Sequence, residues 1–247
     1  SAGKERHKGD LGKCLNSMGA GGGGAGTDSV KSNGGERLHG GSYTRIPDQI
    51  EAGTYMVACA AAGGEIKIKN VIPRHLESIS AKLREMGVTI IEGEDSVVVK
   101  SSGRLQHVNV KTMPYPGFPT DMQPQVATAL CLARGTSVIT EGIYDNRYKY
   151  TNELRKMGAQ IQVDGRTAVI EGVDRLTGAP VVSCDLRAGA AMVIAGLCAE
   201  GTTYVEDNHY IERGYENFVG KLRSLGADIA LVSEPDEPGS VKSASAS

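Results

Sequence analysis

The stretch PYPGFPTDMQ, residues 114–123, sets a single carboxylate, Asp121, behind three prolines and a glycine and directly ahead of an apolar run. Pro114, Pro116 and Pro119 fix φ and remove backbone donors, and Gly117 permits a tight bend. A loop stiffened in this way holds its acid at one position, which suits a general base or a hydroxyl-binding carboxylate. Three arginines fall in loops that follow strands: Arg147 in YDNRY, Arg187 in CDLRAG and Arg213 in YIERGYE. Surface arginines usually sit in solvated ion pairs of little energetic weight. These three follow helix-start acids or strand ends on the side of their units that Asp121 occupies. A guanidinium there can bind phosphate or carboxylate through two N–H groups at once.

Other residue types argue against other chemistries. The five histidines (His7, His39, His75, His107 and His209) lie in separate segments without H-x-x-x-H spacing, so no metal site is expected. Cys14, Cys59, Cys131, Cys184 and Cys198 are odd in number and form no C-x-x-C pair. Cys59, Cys131 and Cys198 sit in Ala-rich runs and read as small buried hydrophobes in a reducing cytoplasm. The leader GAGGGGAG follows no strand and lacks the Gly-Lys-Ser/Thr ending of a phosphate loop.

The elements that position these residues repeat. Leu-Arg-x-(Met/Leu)-Gly recurs at LREMG (83–87), LRKMG (154–158) and LRSLG (222–226). Each marker closes an amphipathic helix pattern, with Gly suited to the left-handed C′ position. A β-rich segment follows each: VTIIEGEDSVVVK, AQIQVDGRTAVIEG and ADIALV. The first two read as hairpins. Ahead of each marker, an aspartate opens an Ala-rich apolar helix: Asp48, Asp121 and Asp185. An aspartate there accepts backbone N–H bonds as an N-cap, the expected role of Asp48. The helices are apolar almost all round, which predicts burial. The fold class is therefore α/β: three repeated units around a pseudo-threefold axis, Ala-rich helices inward and sheets outward. The third unit has no hairpin partner after ADIALV, so an exposed sheet edge is expected. Residues 1–36 read as a disordered Gly-rich leader and 233–247 as a polar tail. The repeats span about 37–112, 113–178 and 179–232.

A net charge of −2 with 23% charged residues leaves no global basic field for nucleic acid. With no Trp and two Phe, no stacking platform for single strands is expected. No apolar run approaches the ~20 residues that cross a bilayer, and the first residues carry no secretory signal pattern. The missing initiator Met points to a fragment or a processed chain.

The string PGFPTDMQ resembles the enolpyruvyl transferase family, in its UDP-N-acetylglucosamine 1-carboxyvinyltransferase branch. The likeness extends through RLHGGSYTRIPDQIEAGTYMVA, EGIYDNRYKYTNELRKMGA, DLRAGAAMVIAGL and HYIERGYENFVGKLRSLGA, from about residue 37 to 232. The shikimate-pathway branch shares the architecture without that string. The resemblance implies an inside-out α/β barrel, one of two domains facing across a cleft and completed by strands from the extreme N-terminus. It implies enolpyruvyl transfer from phosphoenolpyruvate to the sugar 3-hydroxyl with release of phosphate, opening peptidoglycan synthesis in the cytoplasm. Asp121 matches the acid that contacts the hydroxyl, and Arg213 an arginine that reaches phosphoenolpyruvate as the cleft closes. Arg147 and Arg187 match arginines of the same wall. Ile143 matches a position against the uridine-sugar ligand, with Tyr144 a wall residue or a core tyrosine. No cofactor, metal, nucleic acid or membrane is implied. The expected partners are the two substrates and a second domain, without which the chain is expected to be inactive. Lys69 and Asn70, and separately Cys14, lack the context of that domain's Lys-Asn pair and reactive cysteine. A non-catalytic sugar-nucleotide-binding scaffold and a shikimate-pathway relative are the alternatives.

Overall fold

A computed structural model describes residues 6–232 apart from Gly26, Asp28, Gly35 and Glu36. The expected polar tail lies outside the described residues. The chain opens with α1 (Arg6–Ser17) and a hairpin of β1 (Gly21–Gly23) and β2 (Lys31–Asn33). There follow α2 (Gln49–Ala62), β3 (Gly64–Lys69), α3 (Glu77–Glu85), β4 (Thr89–Glu92) and β5 (Ser96–Ser101). Next come β6 (Val110–Lys111), α4 (Gln123–Leu130), β7 (Thr136–Thr140), α5 (Thr151–Lys156), β8 (Gln160–Asp164) and β9 (Thr167–Glu171). The last are β10 (Leu176–Thr177), β11 (Pro180–Val182), α6 (Leu186–Cys198), β12 (Ala199–Glu200), β13 (Tyr204–Glu206), α7 (His209–Glu212) and α8 (Phe218–Ser224). The architecture is α/β.

The three Ala-rich helices α2, α4 and α6 pack against one another. Small side chains allow that approach: a Cβ on Gly53 of α2 would stand 2.8 Å from Ile79 Cδ1 and 3.0 Å from Met122 Sδ. Met56, Met122, Leu130, Met192 and Ile194 are fully buried there, each side chain of this size contributing about 1.5–3 kcal/mol by leaving water. The sheets run β3-β5-β4 and β6-β7-β9-β8, and β10-β12 and β11-β13 form short parallel pairs. Both expected hairpins are present, closing at Glu92↔Val97 and Asp164↔Thr167. Strand periodicity does the sorting: Ala168 and Ile170 of β9 point inward, while Val169 between them is exposed.

The helix–glycine closures are nearly identical. Gly87, Gly158 and Gly226 have φ of 92°, 94° and 95°. The amides that follow, Val88, Ala159 and Ala227, donate to Leu83, Leu154 and Leu222 at 3.0, 3.1 and 3.1 Å. The leader, expected to be disordered, carries a fourth such closure. Gly19 has φ 96°, and Ala20 N donates to Leu15 O at 3.0 Å. The returning strand repeats as well. His39 N donates to Met18 O (3.0 Å) as Gln106 N does to Met86 O (2.9 Å) and Thr177 N to Met157 O (2.9 Å). The glycine-rich composition concealed a helix–turn–hairpin with few apolar residues, and none of α1 is buried. Asp10 fastens α1 by accepting from Tyr43 Oη (2.8 Å) and Ile46 N (3.2 Å).

A second expectation is corrected at ADIALV, which forms no strand. A strand needs a neighbour for its N–H and C=O groups, and among the described residues none lies beside it. Among the described residues β13 pairs only with β11, so this short sheet keeps open edges there.

Candidate active site

The proline-rich loop is a short closed turn. Gly117 N donates to Pro114 O at 2.9 Å, and Met113 N to Phe118 O at 2.9 Å. A Cβ on Gly117 would lie 2.5 Å from Met113 Cβ, so only glycine fits. Phe118 and Met122 are buried and anchor the two ends of the segment. Between them Thr120–Met122 makes one 3₁₀ turn that runs into α4.

This turn separates Asp121 from its counterparts. Asp48 caps α2 through Ile50 N (2.7 Å) and Glu51 N (3.3 Å), and Asp185 caps α6 through Arg187 N and Ala188 N, both at 2.8 Å. Asp121 stands inside the 3₁₀ turn and caps nothing. Its carboxylate accepts instead from two guanidiniums, Arg147 Nη2 on Oδ1 at 3.0 Å and Arg187 Nη2 on Oδ2 at 3.4 Å. The arginine side chains are only 12% and 14% exposed, whereas Asp121 is 41% exposed and open to an incoming molecule.

Each guanidinium also has an aromatic platform. Arg147 lies 5.3 Å from the Tyr144 ring centroid and Arg187 5.4 Å from that of Tyr215, a favourable cation–π range. Arg147 is aimed by its neighbour Asn146, whose φ of 57° is a left-handed turn that asparagine tolerates. Burial works against the charge on Arg187, but Tyr215 and then Asp121 outweigh it and hold its pKa above the ordinary arginine value. Arg147 Nε and Arg187 Nη1 are buried donors without a partner among the described residues. Buried donors left unmet are costly, and both belong to the guanidiniums that hold the Asp121 carboxylate.

The structure brings Asp121, Arg147 and Arg187 together. Ile143 and Tyr144 are exposed on the loop that leads to Arg147. Arg213 is exposed beside Tyr210 at the end of α7 (5.3 Å to the ring centroid) and makes no bond to Asp121. Sequence reasoning missed Tyr215, whose Oη meets Thr54 Oγ1 (3.0 Å) and Gln125 Nε2 (3.3 Å) beneath Arg187. It also missed Glu141, a buried acid behind the loop. Among the described residues no three His, Cys, Asp or Glu side chains gather as a metal site requires. All five cysteines are free; Cys59 and Cys131 are buried as expected, whereas Cys198, near the end of the Ala-rich helix α6, is only partly buried.

The family model described as EPSP synthase (3-phosphoshikimate 1-carboxyvinyltransferase) matches residues 4–222. The chain is 59% identical over 231 residues to UDP-N-acetylglucosamine 1-carboxyvinyltransferase 3 of Caldanaerobacter subterraneus subsp. tengcongensis, covering 94% of this chain and 55% of that one. It is 58% identical over 226 residues to the UDP-N-acetylglucosamine 1-carboxyvinyltransferase of Clostridium botulinum, covering 92% and 54%. It therefore spans about half the length of these two relatives. Against the enzyme of that name from Desulfofundulus thermocisternus, 57% identity covers 89% of this chain and 91% of the relative. Among solved structures, the enolpyruvyl transferase NikO from Streptomyces tendae superposes with a TM-score of 0.77 at 28% identity, over 92% of this chain and 54% of that one. EPSP synthase from Acinetobacter baumannii superposes with a TM-score of 0.67 at 20% identity, which speaks for the fold alone; 89% of this chain and 54% of that one are covered. Sequence and fold agree that the chain belongs to the EPSP synthase family of carboxyvinyl, or enolpyruvyl, transferases.

Proposed function

We propose that this chain is one lobe of a cytoplasmic UDP-N-acetylglucosamine 1-carboxyvinyltransferase. Its three α/β units, about 37–112, 113–178 and 179–232, are arranged around a pseudo-threefold axis. A second lobe closes over the Asp121 face. The observation that carries this reading is the carboxylate at 41% exposure held between two nearly buried arginines. The reaction moves the enolpyruvyl group of phosphoenolpyruvate onto the sugar 3-hydroxyl and releases phosphate. The hydroxyl must lose a proton, and Asp121 accepts it. An aspartate is a weak base near neutral pH, so its contribution comes from placement in a site closed to water. Arg147 and Arg187 direct their remaining donors at the anionic substrates. Arg213, exposed on the rim, reaches phosphoenolpyruvate when the lobes close, and Ile143 packs against the uridine sugar.

The test supplies the second lobe in trans and measures phosphate release from phosphoenolpyruvate with UDP-N-acetylglucosamine. Turnover by the pair, and its loss on Asp121→Ala, is the expected result. Equal turnover from both proteins removes Asp121 from the base role. Turnover with shikimate 3-phosphate instead assigns the chain to the other branch. Sugar-nucleotide binding without any rescue assigns it to a non-catalytic scaffold.

A further inference from the structure

We infer that Glu141 is the positioning residue that holds both halves of the site in register. The inference rests on the proposed reading of Asp121 as the acid of that site. Glu141 lies just beyond β7 with 1% of its surface exposed. Its Oε1 accepts from Thr112 Oγ1 (2.7 Å), Ile143 N (2.8 Å) and Tyr144 N (3.0 Å), and its Oε2 from Thr120 Oγ1 (2.9 Å). Thr112 in turn accepts from Gly142 N at 2.8 Å. All four donors to the carboxylate are uncharged, so only hydrogen bonds compensate this buried acid. Such a group is costly to bury unless every lone pair is met.

The partners show what it does. Thr120 precedes Asp121, and Thr112 follows β6 at the entry to the proline turn. Ile143 and Tyr144 form the loop that delivers Arg147 and its aromatic platform. One carboxylate thus fixes the acid from one side and its guanidinium from the other, without touching either. The 3.0 Å contact between Arg147 Nη2 and Asp121 Oδ1 joins two separately anchored loops whose shared anchor is Glu141. Proline stiffness sets the shape of the turn; Glu141 sets where that turn sits relative to Arg147.

The experiment uses the full chain, labelled with ¹⁵N, and reads the guanidinium signals of Arg147 and Arg187, which need no ligand. Resolved Nη signals report a held ion pair, and merged signals a free side chain. Glu141→Ala is expected to merge those of Arg147, and Glu141→Gln, which keeps shape and an acceptor, to preserve them. Ser101→Ala removes a buried hydrogen bond to Ala60 O elsewhere, and is expected to lower stability while leaving both arginines unchanged. Thr120→Val cuts only the tie to the turn. It is expected to release Asp121 from Arg147 while the Ile143 and Tyr144 amides stay protected from exchange. With the second lobe supplied to the same samples, the Kd for UDP-N-acetylglucosamine is expected to rise about 10- to 100-fold in Glu141→Ala and to return near its starting value in Glu141→Gln. A folded Glu141→Ala with unchanged Arg147 signals overturns the inference. If that variant does not fold, unchanged Arg147 signals in Thr120→Val overturn it instead. Released guanidiniums in a chain whose wild type has no affinity for the sugar nucleotide even with the second lobe supplied uphold Glu141 as the anchor and defeat the functional reading alone.

Discussion

Asp48, Asp121 and Asp185 open three corresponding helices, yet only the outer two cap them. Asp48 and Asp185 spend their carboxylates on backbone amides. Asp121 sits one 3₁₀ turn earlier and gives its oxygens to guanidiniums. The difference lies in the approach to each helix. A proline-rich turn fixes the entry to α4, and Pro124 occupies its first turn, where a missing N–H leaves one fewer donor to satisfy. The helix start that least needs a cap leaves its acid free to pair with side chains. An altered lead-in to one of the three helices thus gives its acid a different set of partners.

The sharpest way to break this comparison is to truncate each acid in turn. In the proposed two-lobe enzyme, Asp121→Ala is expected to lower turnover by about 10²- to 10⁴-fold, the usual weight of a positioned proton acceptor, while the chain still unfolds cooperatively. Steady-state phosphate release and thermal unfolding of the same samples check both halves. A large loss of stability with intact turnover would place Asp121 among the structural acids.

Next in size are the helices that hold the units together. Leu154 is fully buried under the second closure, and Leu154→Ala is expected to cost about 2–5 kcal/mol by the cavity it leaves. Urea unfolding of the variant against wild type measures it.

The region behind the proline turn should respond to pH. His75 is buried in a groove lined by Gln49, Ser78, Tyr115, Gly117 and Pro119. Burial, then Arg6 and Arg74, push its pKa down from 6.5 to about 4. A depressed histidine is neutral in the fold while the unfolded chain takes up a proton first. Its contribution is therefore fully present above pH ~6.5 and is lost as pH falls toward 4, on the order of 1–2 kcal/mol. Comparing the unfolding midpoint at pH 7 and pH 4.5 for wild type and His75→Gln isolates the share due to this residue.

The capping acid should matter less. Asp48→Ala is expected to cost about 1 kcal/mol, or ~2–4 °C in midpoint for a domain of this size, with turnover of the two-lobe enzyme unchanged. A loss of turnover comparable to that of Asp121→Ala would erase the distinction between the units.

What the sequence made legible follows from how local each signal is. Asp48 and Asp185 each stand immediately before an apolar run that ends in glycine, so cap, helix and stop are all written within about 17 residues of chain. Asp121 stood out because prolines and glycine act on their own backbone. Glu141 did not, since an acid at a strand end reads as surface and its burial depends on Thr112 and Thr120, which precede it by a full helix and strand. ADIALV was misread for the converse reason: its composition favours a strand, but strand formation depends on a neighbour. The leader was misread because glycine erased the apolar pattern while the geometry of the Gly19 closure persisted.

That leader supplies the smallest effect and the most exacting contrast. Leu15 occupies in α1 the place that Leu83, Leu154 and Leu222 occupy under the other three closures, with the same backbone bond to the residue after glycine. Those three are buried, while Leu15 is 38% exposed on a helix with no buried residue. Conformation and burial are thus uncoupled at a single position. If burial sets the energetic weight of this leucine, Leu15→Ala leaves a small cavity or none and changes stability by less than about 0.5 kcal/mol, a midpoint shift of ~1–2 °C. If the shared closure itself held the fold together, Leu15→Ala would cost as much as Leu154→Ala. Unfolding the two variants side by side decides between packing and backbone geometry as the source of stability in these units. A small Leu15 effect beside a large Leu154 effect says that the closure directs the chain, and that the Ala-rich helix beneath it supplies the energy.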